Sequence, residues 1–283
     1  MICFPNAKIN IGLRITSKRN DGFHDIESIF FPINLFDALE VLICKNQSSK
    51  IKIYYSGNVS LISNDLCIKA YKLLDSDFNL PSIKVFLHKK IPIGSGLGGG
   101  SSNAVSMLKI LNQLFKLNLT QKQLLNYCTQ LGSDCAFFLY NKPSFVSGLG
   151  DIINPNINFS LNKYQLLLVF PSKPLSTSDV FNSLDNKNIF IKENSHFSDI
   201  FCKILSDQLS INFWQNKLKN NLESSAFKFI PEIKSIKDEL YKMGAIYSSM
   251  SGSGSTVYGI FPKNQTIKNY FNKKYFSYTC DLI

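Results

Sequence analysis

The sequence predicts a mixed helix-and-strand chain in two domains, on three observations. Runs with the two-residue period of strands alternate with runs at helical spacing. A glycine-rich loop, Pro92 to Ser102, joins a strand-like run to a helix-like run. A stretch rich in turn formers and asparagine, Ser147 to Ser160, separates two halves, and 283 residues suit two domains of ordinary size.

Taken in order, Lys8 to Ile15 alternates polar and apolar residues and reads as a half-buried strand. Arg19-Asn20-Asp21-Gly22 is a turn, with Asp-Gly its strongest part. Asp37–Ile43 and Ile51–Tyr55 read as further strands. Asn64 to Leu74 places Leu66, Ala70, Leu73 and Leu74 on one helical face. Ile83 to Ile91 is again a strand by its period, and a helix from Ser102 to Phe115 follows the glycine loop. The next helix, Thr120 to Leu131, has Thr120 as N-cap and Gly132 as stop. The second half opens with a buried-looking strand, Gln165 to Phe170, ended by Pro171. Helical patterns are expected at 178–185, 197–209 and 222–242. A glycine-rich turn, Ser251 to Ser255, then leads into a strand from Thr256 to Phe261. The domain boundary is placed at 158/159, giving domains 1–158 and 159–283.

Composition excludes several classes. A chain 45% hydrophobic and 18% charged is a folded globule rather than a disordered or fibrous one. No apolar run reaches the length of a membrane span, and the first residues lack a basic-then-apolar leader. Seven scattered cysteines without a C-x-x-C pair read as reduced thiols in a cytoplasmic protein, with no zinc framework. The net charge of +11 suggests nucleic acid at first sight. Yet 29 of the 31 basic residues are lysine, the exceptions being Arg14 and Arg19. Base edges and bidentate phosphate contacts favour arginine. The charge therefore reads as lysine-rich compositional drift, and no nucleic-acid partner and no membrane is expected.

The chemistry concentrates in three segments. Pro92-Ile93-Gly94-Ser95-Gly96-Leu97-Gly98-Gly99-Gly100-Ser101-Ser102 allows backbone N–H groups to converge at a helix N-terminus, an arrangement suited to phosphates; the alternative is a flexible loop. A dinucleotide site would need an acidic residue about 20 positions on. No Asp or Glu lies between Asp77 and Asp134. A Walker A loop would need a lysine, and none lies in the loop. The same carboxylate-free stretch carries Lys84, Lys89, Lys90, Lys109, Lys116 and Lys122, a local excess suited to a polyanionic nucleotide. The second segment, Leu131-Gly132-Ser133-Asp134, ends that stretch with a lone carboxylate. It is either a helix cap or a group paired with Lys8 to handle a hydroxyl attacking a phosphate. Lys8 itself is otherwise a strand lysine whose amine reaches solvent. The third, Ser251-Gly252-Ser253-Gly254-Ser255, is a hairpin turn or a place where backbone approaches a ligand. Phe23-His24 offers an aromatic face and a hydrogen-bonding edge, or is simply surface. None of the histidines at 24, 88 and 196 has metal-ligand spacing.

These segments resemble, in order and spacing, the three motifs of the GHMP kinases. The resemblance rests on Pro5-Asn6-Ala7-Lys8-Ile9-Asn10, Arg19 to His24, Pro92 to Ser102, Leu131 to Asp134, Ser176-Thr177 with Val180-Phe181, and Met250 to Gly254, and it spans almost the whole chain. It implies an α+β fold of two domains. The N-terminal one would resemble domain 2 of ribosomal protein S5 and the C-terminal one would be ferredoxin-like, with the active site in the cleft between them. It implies an ATP-dependent kinase with Mg²⁺, acting on a small alcohol that carries cytidine diphosphate, as a monomer or homodimer. Lys8 and Asp134 would be catalytic. Pro92, Ile93, Gly94, Ser95, Gly96, Leu97, Gly98, Gly99, Gly100, Ser101 and Ser102 would bind ATP. Asn10, Phe23, His24, Thr177, Phe181, Gly252 and Gly254 would contact the second substrate, with Phe23 and Phe181 stacking on the cytosine. No protein side chains are expected to form a metal site of their own. The alternatives are a GHMP kinase for another alcohol such as homoserine, or a non-catalytic nucleotide-binding protein. Three departures stand out: Phe23 where the family more often has tyrosine, Leu149 where it commonly has a basic residue, and Ser95 in place of Ala or Gly.

Overall fold

The computed structural model describes residues 1–44, 49–57, 65–157, 159–184, 200, 203 and 210–282. The chain packs as two compact units, each discontinuous in sequence. The first holds Met1–Ala7, Leu35–Ile93 and Gly98–Asn141, and the second Lys8–Asn34, Gly94–Leu97 and Lys142–Ile283. Compact packing thus groups the chain differently from one break at 158/159, and residue 158 lies outside the described residues.

In the first unit, β1 (Ile2–Cys3), β4 (Ala38–Ile43), β6 (Ile83–Lys89) and β5 (Ile51–Gly57) form a sheet in the order β1-β4-β6-β5. β5 runs parallel to β6, and helix α1 (Leu66–Phe78) supplies the crossover that a parallel pair needs. Asp65 caps α1 by accepting from Cys67 N and Ile68 N, and Asn79, at φ 47°, ends it four residues beyond the expected Leu74. Helix α3 (Gln121–Leu131) starts as expected: Thr120 and Gln123 form a capping box.

The second unit contains two sheets. Strands β2 (Asn6–Lys18), β3 (His24–Phe36), β7 (Ser144–Ser147) and β8 (Ile152–Asn154) lie in that order, with the ends of β2 and β3 belonging to the first unit. The other sheet has the order β10 (Tyr247–Met250), β11 (Val257–Pro262), β9 (Tyr164–Phe170), β12 (Phe276–Asp281), with every neighbouring pair antiparallel. That order is the split β-α-β arrangement of ferredoxin-like folds. Its core gathers Leu13, Ile15, Leu167, Val169, Leu222, Ile233, Leu240 and Val257.

Sequence and structure differ at three further places. β2 is buried along nearly its whole length rather than on one face, so its polar side chains point into protein. The single helix expected at 222–242 is two, α6 (Glu223–Phe229) and α7 (Glu232–Lys242), because Pro231 cannot continue the first. The sequence pattern does not mark β3 as a strand, since Pro32 interrupts it outside the Ser28–Phe30 stretch that pairs with β7. The expected helix at 178–185 is α5 (Thr177–Asn182), and the one at 197–209 lies outside the described residues apart from 200 and 203. Among the described residues no helix is long and apolar enough to cross a membrane. Replacing Thr120 by alanine removes the capping box of α3; we expect about 1 kcal/mol of lost stability, read as a lower urea midpoint at unchanged slope.

Candidate active site

The glycine loop leaves β6 and enters helix α2 (Gly99–Leu114), which begins three residues earlier than its pattern suggested, with Gly98 at the N-cap. The last glycines of the loop are therefore the first helical turn. Their N–H groups are the ones a helix cannot satisfy internally, and no acidic side chain occupies that turn. Four consecutive carbonyls point the other way. Gly94 O accepts from Leu175 N at 3.4 Å, Ser95 O from Thr256 N at 3.1 Å and Leu97 O from Lys8 N at 3.0 Å. Gly96 O accepts from Ser251 Oγ at 2.9 Å. Carbonyls committed to protein donors are turned from an incoming anion, as a phosphate cradle requires. Gly96 has φ +78°, and a Cβ there would lie 2.2 Å from Ser251 O, so only glycine fits.

Lys8 lies within β2 and is 3% exposed, so it does not reach for solvent. Its ammonium sits 4.5 Å from the centre of the Phe30 ring and donates to Asn10 Oδ1 at 2.6 Å. Asn10 Nδ2 donates to Ser28 Oγ at 3.2 Å, which donates to Gly12 O at 2.6 Å. The second glycine turn closes over this pair: a Cβ on Gly252 would lie 3.2 Å from Asn10 Oδ1 and 3.6 Å from Lys8 Nζ. Lys8, Asn10, Gly94–Leu97, Gly252 and Gly254 thus belong to one packed arrangement within the second unit.

Two residues of this arrangement were missed by sequence reading. Asn220, buried, donates from Nδ2 to Met250 O at 2.9 Å and to Gly252 O at 2.8 Å. Glu223 Oε1 accepts from Met250 N at 2.9 Å, while its other oxygen pairs with Lys237. They hold the strand end from which the turn departs. An Asn and a Glu near the start of a helix carry no signal that separates them from ordinary surface residues.

Asp134 belongs to the first unit, with Pro92, Ile93 and Gly98–Ser102. It stands at the N-cap position of α4 (Cys135–Tyr140) but makes no capping hydrogen bond with its side chain. The capping alternative therefore does not account for its carboxylate. The neighbouring Cys135 thiol is pushed up to about 12 by burial, which leaves no thiolate nucleophile there.

The turn Arg19–Phe23 is closed by Arg19 N donating to Phe23 O at 2.8 Å, and Phe23 N donates to Asp21 Oδ1 at 3.1 Å. The Arg19 guanidinium bonds both Asp21 and Asp25. This leaves Phe23 62% exposed and His24 buried. His24 stacks on Phe181 with ring centres 5.4 Å apart. Its Nε2 is buried without a hydrogen-bond partner, and burial, followed by the Lys18 charge, holds the ring below the ordinary histidine pKa. Thr177 Oγ1 is 2.8 Å from Ser253 Oγ, which joins α5 to the second glycine turn. Leu149 donates its N–H to Asp151 Oδ1 at 3.0 Å and contributes no charge.

Two of the six lysines in the carboxylate-free stretch are engaged within the protein. Lys89 is buried against Asp37, and Lys109 donates to the carbonyls of Phe138 and Leu139 at 3.1 Å each. Gly252→Ala adds a side chain at φ +56°, against Asn10. We expect a cost of about 1–2 kcal/mol, a melting midpoint lower by several degrees and impaired turnover, measured by calorimetry and steady-state kinetics.

Comparison with known proteins gives a consistent family. Residues 65–142 match the profile described as GHMP kinases N terminal domain, and residues 207–276 that described as GHMP kinases C terminal. A Bacteroides fragilis protein named 4-diphosphocytidyl-2-C-methyl-D-erythritol kinase is 45% identical over 269 residues, covering 94% of each chain. A protein of the same name from Azobacteroides pseudotrichonymphae is 46% identical, covering 93% of this chain and 94% of its own. Among solved structures, a 4-(cytidine 5'-diphospho)-2C-methyl-D-erythritol kinase superposes with a TM-score of 0.79 at 24% identity, covering 100% of this chain and 99% of that one. A homoserine kinase from Cytophaga hutchinsonii superposes with a TM-score of 0.71 at 17% identity, covering 98% and 94%. Those two structures speak to the fold, and the two sequence relatives to the family. With glycine-loop backbone, buried lysine and lone aspartate in the order of the family motifs, the chain belongs to the GHMP kinases, within the family of 4-diphosphocytidyl-2-C-methyl-D-erythritol kinases.

Proposed function

We propose that this protein transfers the γ-phosphoryl group of ATP to the 2-hydroxyl of 4-diphosphocytidyl-2-C-methyl-D-erythritol, in the methylerythritol phosphate route to isoprenoid precursors. The observation that carries this reading is the likeness along nearly the full chain to relatives of that name. The geometry supports it: a buried ammonium, a phosphate-type loop with its carbonyls turned away, and an exposed ring beside a buried imidazole. The last feature is of use to a substrate with a base and of none to homoserine.

Phosphoryl transfer needs positioning and charge compensation more than covalent help from the protein. The Pro92–Ser102 backbone holds the ATP phosphates. The substrate hydroxyl oxygen attacks the γ-phosphorus, the bond from that phosphorus to the β,γ-bridging oxygen breaks, and ADP leaves. Asp134 orients the hydroxyl and takes its proton. Lys8 offsets negative charge that develops in transfer, and its burial strengthens that effect. Asn10 fixes the Lys8 amine and faces the sugar alcohol. Phe23 and Phe181 stack on the cytosine, His24 bonds its edge, and Thr177, Gly252 and Gly254 line the alcohol end.

Among the described residues no three His, Cys, Asp or Glu side chains gather as metal ligands. The residues fit a Mg²⁺ that enters bound to nucleotide phosphates, with a Ser101 or Ser102 hydroxyl available to it. Such an ion would neutralise phosphate charge. The protein acts in the cytoplasm.

Purified protein with ATP, Mg²⁺ and the cytidine-diphosphate alcohol is expected to yield ADP and a phosphorylated product. Asp134→Asn should lower kcat by about 10²–10⁴-fold with ATP binding retained; no turnover by the wild type, or an unimpaired variant, overturns the assignment. The His24 ring supplies a second test. Its lowered pKa keeps it neutral at pH 7, with one nitrogen able to accept. As pH falls through that pKa, which lies below 6.5, protonation removes the acceptor inside a buried site. The KM for the alcohol substrate should stay level above pH 7 and rise in acid, while His24→Gln should abolish the inflection.

A further inference from the structure

Lys89 ends β6 just before the phosphate loop, and Asn103 lies in the second turn of α2 just after it. Both are buried, at 4% and 2% exposure, and so is Asp37, at 1%, between β3 and β4. Asp37 Oδ1 accepts from the backbone N–H of Lys90 at 2.8 Å and of Ile91 at 2.9 Å, the residues that lead into the loop. Its Oδ2 accepts from Lys89 Nζ and from Asn103 Nδ2, the latter at 3.0 Å. Lys89 Nζ also donates to Asn103 Oδ1 at 2.9 Å. A Cβ on Gly99 would lie 3.3 Å from Lys89 Nζ, so the ammonium sits beneath the first residue of the helix.

We propose that Asp37, Lys89 and Asn103 are positioning residues that clamp both ends of the phosphate loop to one carboxylate and so set the loop's span for the nucleotide. The proposal rests on the reading of Pro92–Ser102 as the ATP cradle. Three physical points favour positioning over two simpler roles. First, the set is neutral as a whole, since Asp37 offsets Lys89, so it does not act by attracting phosphate. Second, a buried ion pair is a poor stabiliser. The desolvation of both ions consumes most of their attraction, and apolar residues of equal volume serve stability as well or better. Third, a lysine ammonium under a helix N-terminus is unfavourable with respect to the helix dipole and is tolerable only beside a carboxylate. What this arrangement provides, and an apolar core would not, is a fixed distance between the N–H groups of residues 90 and 91 and the second turn of α2. Seven residues, Pro92 to Gly98, span that fixed gap.

Two variants test the clamp in the full-length protein, with KM values for ATP and for the cytidine-diphosphate alcohol measured separately. Asn103→Leu keeps the branched shape and removes both cross-links to the helix. It should raise the KM for ATP at least ten-fold and leave the KM for the alcohol within two-fold. Asp37→Ala with Lys89→Met removes both charges together. It should melt above Asp37→Ala alone, because no unpaired charge stays buried, yet keep the KM for ATP raised at least ten-fold. An ATP KM within two-fold of wild type in either variant, or one that recovers in step with the melting temperature, overturns the clamp. Calorimetry of wild-type protein with Mg²⁺ and ATP separates the two levels. Absence of ATP binding removes the cradle reading and the clamp with it, whereas normal binding with unchanged variant KM values removes the clamp alone.

Discussion

The contact on which the second unit depends is a backbone-to-backbone approach at Gly96. Two glycine-rich turns, distant in sequence, meet with no room for a side chain between them. From that contact the other placements follow. The loop carbonyls are taken by Leu175, Thr256, Ser251 and Lys8, so the Lys8 backbone is tied to the loop. The turn at Gly252 then lies against the Lys8 amine and its partner Asn10. A methyl group at either glycine would separate parts that need to touch.

Charge in this protein is handled by burial with hydrogen-bonded partners rather than by surface accumulation. Lys8 lies among Phe30, Asn10 and the Gly252 turn. Lys89 shares Asp37 with two backbone N–H groups and Asn103. Glu223 divides its oxygens between Lys237 and the Met250 N–H. Groups so held exchange water for fixed dipoles, which costs stability and makes them rigid. Rigid dipoles are what phosphoryl transfer uses. The formal charge of +11 thus says little about partners, since Lys89 and Lys109, on either side of the loop, are spent on internal bonds.

The Arg19–Phe23 turn shows how one departure from the family pattern is absorbed. Phe23 lacks the hydroxyl of a tyrosine but projects its ring from a turn held by Arg19, Asp21 and Asp25. A guanidinium can bond two carboxylates at once, which an ammonium does less well. It is one of only two arginines in a chain otherwise given to lysine. Leu149 keeps its turn through Asp151 and simply lacks the charge.

What the sequence determined by itself was whatever depends on neighbours within a few residues. The Thr120–Gln123 capping box, the strand runs of β4, β5 and β6, the glycine loop and the order of the three motifs were all readable, because caps, periods and tight turns are local. The helix break at Pro231 is local too, but it lies inside a longer helical pattern. Tertiary structure alone decided which polar groups would be buried and beside what. Lys8 and Lys89 look alike as strand lysines, yet one faces Asn10 and a glycine turn from 244 residues away (252 − 8), and the other an aspartate 52 positions earlier. Asn220 and Glu223 gain their roles only when the chain returns to β10. A side chain's type limits what it can bond, but its partner is set by which distant strand arrives beside it.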